Sequence, residues 1–272
     1  MKKLSAVLLV LSVCFGCLLV GRPASAADAT VTYVGNAGFL VTVGSQKVLI
    51  DAMFGGFPGG YRLPANVEQA IASAQPPFDG VDLILVTHDH ADHFSASMVR
   101  RHMEANPGAI LVAGPQVAGQ LSDFGARVAT LTATAGKAAT TTQNEIRVLA
   151  IYLSHGVFPA REPEIVNYGY LITIGDVSFF HTGDIDPVTI GIETFRGYGL
   201  ASQGIDFAFV PHFLLGGRSA DPGLVAAIGA TYVVAAHYEY TMLPLMRTAI
   251  LKAYPTAVVF ENDKELDRWT MP

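Results

Sequence analysis

Cysteine and tryptophan are nearly absent from this chain of 272 residues, which holds two of the first and one of the second. Both cysteines, Cys14 and Cys17, lie in the N-terminal apolar stretch, so no disulfide can brace the rest of the chain. Stability there must come from core burial and from any metal the fold binds. Charge is sparse too. Charged residues make up 15% of the sequence, the formal net charge is −6, and there is no basic run. An acidic field without a basic patch excludes nucleic acid as a default partner. Long apolar runs are missing beyond the N-terminus. The one present, residues 4–20, is shorter than the roughly 20 residues a spanning helix needs. No stable membrane anchor is expected.

The N-terminus instead has the pattern of an export signal. Lys2 and Lys3 precede the apolar run, and Ala24-Ser25-Ala26 forms a small-residue cleavage site. Residues 1–26 are expected to be a leader and residues 27–272 one mature domain, exported to the periplasm or the medium. Loss of Lys2, Lys3 and Arg22 makes that mature domain more acidic still.

Along the rest of the chain short apolar strands alternate with helices, with no linker and no low-complexity tract. Residues 31–34, 39–43 and 47–50 read as an opening meander turning at Gly44-Ser45. A helix is expected over 66–74 before the Pro76-Pro77 break. A buried strand follows over 81–86, then helix 95–103, strand 109–112, helix 116–121 and strand 127–131. A second strand-rich half covers 145–153, 168–174 and 177–180, with Gly175-Asp176 as a hairpin turn. Strand 205–210, helix 219–228, strand 231–235, helix 242–253 and strand 257–260 complete the pattern. Periodicity alone makes this a mixed α/β chain and does not order its sheets.

The segment Thr87-His88-Asp89-His90-Ala91-Asp92-His93 is the richest in chemistry. It sits where an apolar strand turns into a helix, at the rim of a sheet. His88 and His90, two apart on extended chain, point the same way and can share one ion. Asp92 and His93 fall where the chain turns, facing a neighbouring position. The spacing suits a two-metal centre better than one tetrahedral ion.

H-x-H-x-D-H after an apolar strand resembles the signature of the metallo-β-lactamase superfamily, and other segments agree in order. Residues 31–51 (VTYVGNAGFLVTVGSQKVLID) resemble that fold's first strands. Ser154-His155-Gly156 resembles its third-histidine motif, His181-Thr182-Gly183-Asp184 its bridging-carboxylate motif, and Ala236-His237-Tyr238 its last histidine motif. The wording FFHTGD and AAHY is most similar to the branch of ascorbate-phosphate lactonase-like and phospholipase D-like metal hydrolases. The resemblance implies a four-layer αββα sandwich. It also implies two divalent ions, zinc first with manganese or iron as alternatives. His88, His90 and His155 would hold one ion, Asp92, His93 and His237 the other, and Asp184 would bridge. Such a centre supplies hydroxide near neutral pH and attracts small anionic substrates.

Several other residues are candidates for the same rim. Asp92, His212 and Tyr238 are the candidate catalytic groups, His212 as proton donor or substrate contact and Tyr238 as a polariser of a substrate oxygen. Asp51 ends a strand and can orient a ligand histidine or cap a turn. His181 either contacts the site or ends its strand, and His102 reads as structural. Specificity is expected from two loops, the glycine-rich 53–65 and 158–167 with Arg161. Asn36 stands where many relatives of the branch carry histidine, which is expected to alter how substrate is held.

The leading functional expectation is a secreted metal-dependent hydrolase of an ester-type bond, with phosphodiesters or lactones as substrates. Two rivals are weighed: a mono-iron sulfur dioxygenase-like oxidoreductase on the same fold, and an exported metal-binding protein without turnover. One major subclass of zinc β-lactamases needs a cysteine ligand, which the mature chain lacks, so β-lactam hydrolysis is not expected.

Overall fold

Strand β1 (Ala29–Gly35), β2 (Gly38–Val43) and β3 (Gln46–Ile50) form where valine, threonine and aromatics are dense, and they pair antiparallel. Val43 faces Gln46 across a turn in which Gly44 takes φ 58°, a conformation that favours glycine. The chain then runs through α1 (Ala65–Ala72) into β4 (Leu83–Val86), parallel to β3. Helix α2 (Ala96–Ala105) starts at Ser95, whose hydroxyl accepts from the Met98 N–H, and leads to β5 (Ile110–Ala113). Helix α3 (Pro115–Ala118) continues as a 3₁₀ segment, Gly119–Arg127, into β6 (Val128–Thr130).

The second half begins with four antiparallel strands, β7 (Ala139–Gln143), β8 (Ile146–Tyr152), β9 (Tyr168–Ile174) and β10 (Val177–His181). Helix α4 (Ile192–Gly197) leads to β11 (Phe207–Pro211), and α5 (His212–Leu215) and α6 (Pro222–Ile228) to β12 (Tyr232–Ala236). Both strands are parallel to β10. After α7 (Leu243–Ala253), β13 (Arg268–Thr270) returns to pair with β1. These bounds come from a computed structural model that describes residues 28–56, 62–155, 165–216, 220–238, 243–261 and 266–272. The expected leader, Phe57 to Tyr61 of the first loop and Arg161 of the second lie outside the described residues.

One sheet has the order β13-β1-β2-β3-β4-β5-β6 and the other β12-β11-β10-β9-β8-β7. Alternation along the strands divides the core. Val31, Tyr33, Phe39, Val41, Leu83 and Leu85 face the second sheet, whereas Val34, Leu40, Leu49, Ile84 and Val86 face the helical layer of α1 and α2. Phe39 stacks on Phe209 of β11 with ring centroids 4.1 Å apart, joining the sheets at the centre. The result is the expected αββα sandwich. Among the described residues no helix is long and apolar enough to cross a membrane.

Five elements depart from expectation. Helix α1 ends at Ala72, because Ala74 turns left-handed at φ 48°. Residues 257–260 form no strand and touch β12 through a single bridge between Val234 and Val258. Strands β7 and β13 and helix α4 had no forerunner in the pattern. The parallel strands β3, β4, β10, β11 and β12 run straight into Asp51, Thr87-His88, Thr182-Gly183-Asp184, His212 and His237. Their carboxyl ends form one rim, the usual place for a site in such sheets.

Candidate metal centre

Asp51 organises the rim from below. It is buried, takes φ 47°, and its carboxylate accepts from the Thr87 N–H at 2.8 Å and the Thr87 hydroxyl at 2.6 Å. The same carboxylate lies 2.8 Å from His93 Nδ1, which donates to it. With its proton committed to Asp51, the Thr87 Oγ1 accepts from His88 Nδ1 at 3.0 Å. One carboxylate thereby places the Nδ1 proton on two histidines and leaves both Nε2 lone pairs facing outward. This is how supporting hydrogen bonds prepare imidazoles for metal.

Those lone pairs join two clusters. The ligand atoms of His88, His90 and His155 lie within 4.8 Å of one another, as do those of Asp92, His93, Asp184 and His237. His88 Nε2 is 3.1 Å from His90 Nδ1. Asp184 Oδ2 stands between the clusters, 2.9 Å from His237 Nε2, 3.3 Å from His93 Nε2 and 3.9 Å from His155 Nε2. Asp92 Oδ2 lies 3.4 Å from His237 Nε2 and 3.8 Å from His93 Nε2. Buried His93 Nε2, His237 Nε2 and Asp184 Oδ1 make no hydrogen bond of proper geometry despite this crowding. Nitrogen and oxygen lone pairs gathered this closely without hydrogen bonds fit shared cations. The donor set offers two groups that could each hold a metal ion, with Asp184 Oδ2 between them.

Two buried residues hold the Asp184 turn. Asn167 donates to the Leu153 and Thr182 carbonyls at 3.2 Å each and accepts from the Asp184 N–H at 3.2 Å. It thus ties the approach to His155 to the approach to Asp184. Gly183 takes φ 58°, and a Cβ there would sit 2.1 Å from Asn167 Oδ1, so only glycine fits. His181 donates from Nε2 to the Ala37 carbonyl at 2.9 Å and accepts the Gly183 N–H on Nδ1 at 3.0 Å. Both ring nitrogens are used inside the protein, so His181 is a brace and not a ligand. His102 is buried against the Ile71 carbonyl, away from the rim.

Tyr238 and His212 need different readings from those expected of them. Tyr238 is buried, stacks on Tyr33 at 5.4 Å, and donates its hydroxyl to the Phe260 carbonyl at 3.2 Å. Its packing role displaces the expected contact with substrate. Tyr238→Phe should lower stability by about 1 kcal/mol, the net value of one such bond, with turnover unchanged; paired denaturation and rate measurements check this. His212 Nδ1 donates to the His237 carbonyl, and its ring lies parallel to that of His237 at 6.4 Å. Burial pushes its pKa down, outweighing that backbone bond. A neutral ring that donates from Nδ1 has a lone pair on Nε2, so the geometry favours support of His237 over the expected proton donation.

The charges at the centre oppose one another strongly. Burial pushes His93 down, but Asp184 and then Asp51 outweigh it and hold it well above the usual range. Burial likewise opposes ionisation of His237, yet Asp184 and Asp92 raise it to about 9. Burial raises Asp184 and Asp92, but the facing histidines win, holding Asp184 well below the carboxylate range and Asp92 at about 2. His88 is lowered by burial and then by His93.

Without metal, the raised histidines stabilise the fold fully below their usual 6.5 and lose that contribution as pH rises through about 9 for His237. The depressed Asp92 contributes above its usual 3.8 and loses that contribution as pH falls through about 2. The lowered His88 and His212 act oppositely, since below 6.5 the unfolded chain takes up protons that these buried rings refuse. The metal-free chain should therefore melt highest near pH 6.5, declining on both sides. Bound metal requires neutral imidazoles and should remove the alkaline decline. Melting temperature against pH, with chelator and with zinc, tests this.

Asn167 and Thr87 carried no recognisable signal. An asparagine before a strand and a threonine before a histidine are ordinary until the turns they join are known.

A family model described as a beta-lactamase superfamily domain matches residues 46–244. A metal-dependent hydrolase of Pyrococcus horikoshii is 30% identical over 214 residues, covering 77% of this chain and 84% of its own. Among solved structures, Igni18, a metallo hydrolase from Ignicoccus hospitalis, shares the fold with a TM-score of 0.61 at 16% identity, over 90% of this chain and 99% of that one. CmlA, a diiron β-hydroxylase from Streptomyces venezuelae, gives 0.56 at 15% identity over 92% of this chain, which spans 55% of that one.

Proposed function

This chain belongs to the beta-lactamase superfamily and is a metal-dependent hydrolase; we propose that it is exported and cleaves an ester-type bond in a small anionic substrate, a phosphodiester or a lactone. The observation that carries the proposal is Asp184 Oδ2, set between a three-histidine cluster and a cluster of Asp92, His93 and His237. Two divalent ions held there would supply Lewis acidity and lower the pKa of a water to about 7.

The chain's own residues do the rest. His88, His90 and His155 would hold one position and Asp92, His93 and His237 the other. With only two carboxylates among these ligands, a pair of divalent cations leaves the centre positive. That balance favours an anionic substrate and the negative charge that develops on a carbonyl or phosphoryl oxygen as an ester is cleaved. Asp51 and Thr87 keep the Nε2 lone pairs of His93 and His88 aimed outward at the rim, while His212 and Asn167 hold the backbone on which His237 and Asp184 sit.

The test loads the purified chain separately with zinc, manganese and iron and screens phosphodiesters, lactones, thioesters and β-lactams. Turnover of a phosphodiester or lactone without oxygen consumption supports the proposal. Turnover confined to the iron form with oxygen consumed favours the oxygenase reading, and none with any metal favours a binding protein. Export is tested by the mass of the chain recovered outside the cytoplasm, which should begin at Ala27.

A further inference from the structure

We infer that Asn36 is a positioning residue for one of the two ion positions, because it holds Asp92 and His237 together. The inference rests on the reading of Asp92, His93 and His237 as ligands of one ion. Asn36 lies at the corner between β1 and β2 and is buried, with 5% of its surface exposed. Its side-chain amide is turned onto the turn that carries Asp92.

Its Nδ2 donates to the Asp92 carbonyl at 3.0 Å and lies 3.5 Å from Asp92 Oδ2. The first bond holds the backbone of the turn. The second, longer contact orients the carboxylate oxygen that faces His237. From the other side of the same residue, the Asn36 carbonyl accepts the His237 N–H at 3.0 Å. Both residues are left-handed, Asn36 at φ 51° and His237 at φ 53°. Asparagine tolerates that conformation better than most side chains, whereas the histidine must be held in it by its surroundings. The His237 peptide is held at both ends, by Asn36 at its N–H and by His212 at its C=O. Among the described residues, the hydrogen bonds of Asn36 reach no member of the His88, His90 and His155 cluster.

This asymmetry separates a positioning role from a merely structural one. Asn36→Gly keeps the left-handed backbone and the carbonyl that receives His237, and removes only the amide. Zinc titration of the full chain against a chromophoric chelator should resolve two binding events in the wild type. In Asn36→Gly one event should weaken by about tenfold or more while the other holds. The melting temperature of the metal-free variant reports whether the fold persists. Should Asn36→Gly not fold, Asn36→Ser, too short to reach Asp92, carries the same expectation. Two wild-type events with an unchanged variant, or with both events weakened equally, overturn the inference alone. A single wild-type event sinks the two-position reading and the inference with it.

Discussion

Asp184→Ala is expected to leave the chain with less than one bound ion and to lower hydrolysis on the order of a thousandfold. The rate figure follows from the several kcal/mol that Lewis-acid stabilisation supplies. Asp184 approaches both clusters: Oδ2 is 2.9 Å from His237 Nε2 and 3.9 Å from His155 Nε2. Its removal takes a ligand from each position. Fold loss is separable from metal loss, because Asp184 also raises the pKa of His93, together with Asp51, and of His237, together with Asp92, in the metal-free chain. In Asp184→Ala those imidazoles become neutral at lower pH, so the alkaline decline in melting temperature should shift downward and flatten. Full turnover with two ions retained would remove Asp184 from the centre.

Asp51→Asn is expected to weaken zinc binding by both clusters by about a hundredfold although Asp51 belongs to neither. Asparagine keeps the shape and tolerates φ 47°. It presents an N–H where a carboxylate oxygen stood, however, and one of its two side-chain atoms then no longer accepts. Facing that donor, His93 Nδ1 must become the acceptor, which moves its proton to Nε2 and blocks the lone pair. Thr87 loses the acceptor that orients its hydroxyl, and His88 loses its fixed tautomer in turn. The lost hydrogen bonds to a charged group should cost about 1.5–3 kcal/mol of stability. Chelator competition reads the affinity and denaturation the stability. Unchanged affinity at either position would break the chain of hydrogen bonds at that histidine.

The alternation of apolar residues made most strands legible, and the packed spacing of His88, His90, Asp92 and His93 made half of the centre legible. His155, Asp184 and His237 were readable only through resemblance, since each is a lone residue after a strand. What escaped did so for physical reasons. β7 is a threonine-rich edge strand with alternating exposure, so it has little apolar surface to announce it. Residues 257–260 are apolar because Phe260 stacks on Tyr33, and apolarity reports burial, not pairing. Tyr238 follows His237 in sequence, but the chain turns left-handed at His237, φ 53°, and the Tyr238 ring goes into the core. Asn36, Asn167 and His181 act through backbone carbonyls and N–H groups of distant turns, contacts that no local spacing encodes.

Anomalous diffraction at the zinc edge, from crystals grown with zinc, tests the central claim most directly. Two peaks should flank the Asp184 carboxylate, one against His88, His90 and His155 and the other against Asp92, His93 and His237. A single peak away from Asp184, or zinc bound only outside these side chains, would contradict a shared two-ion centre.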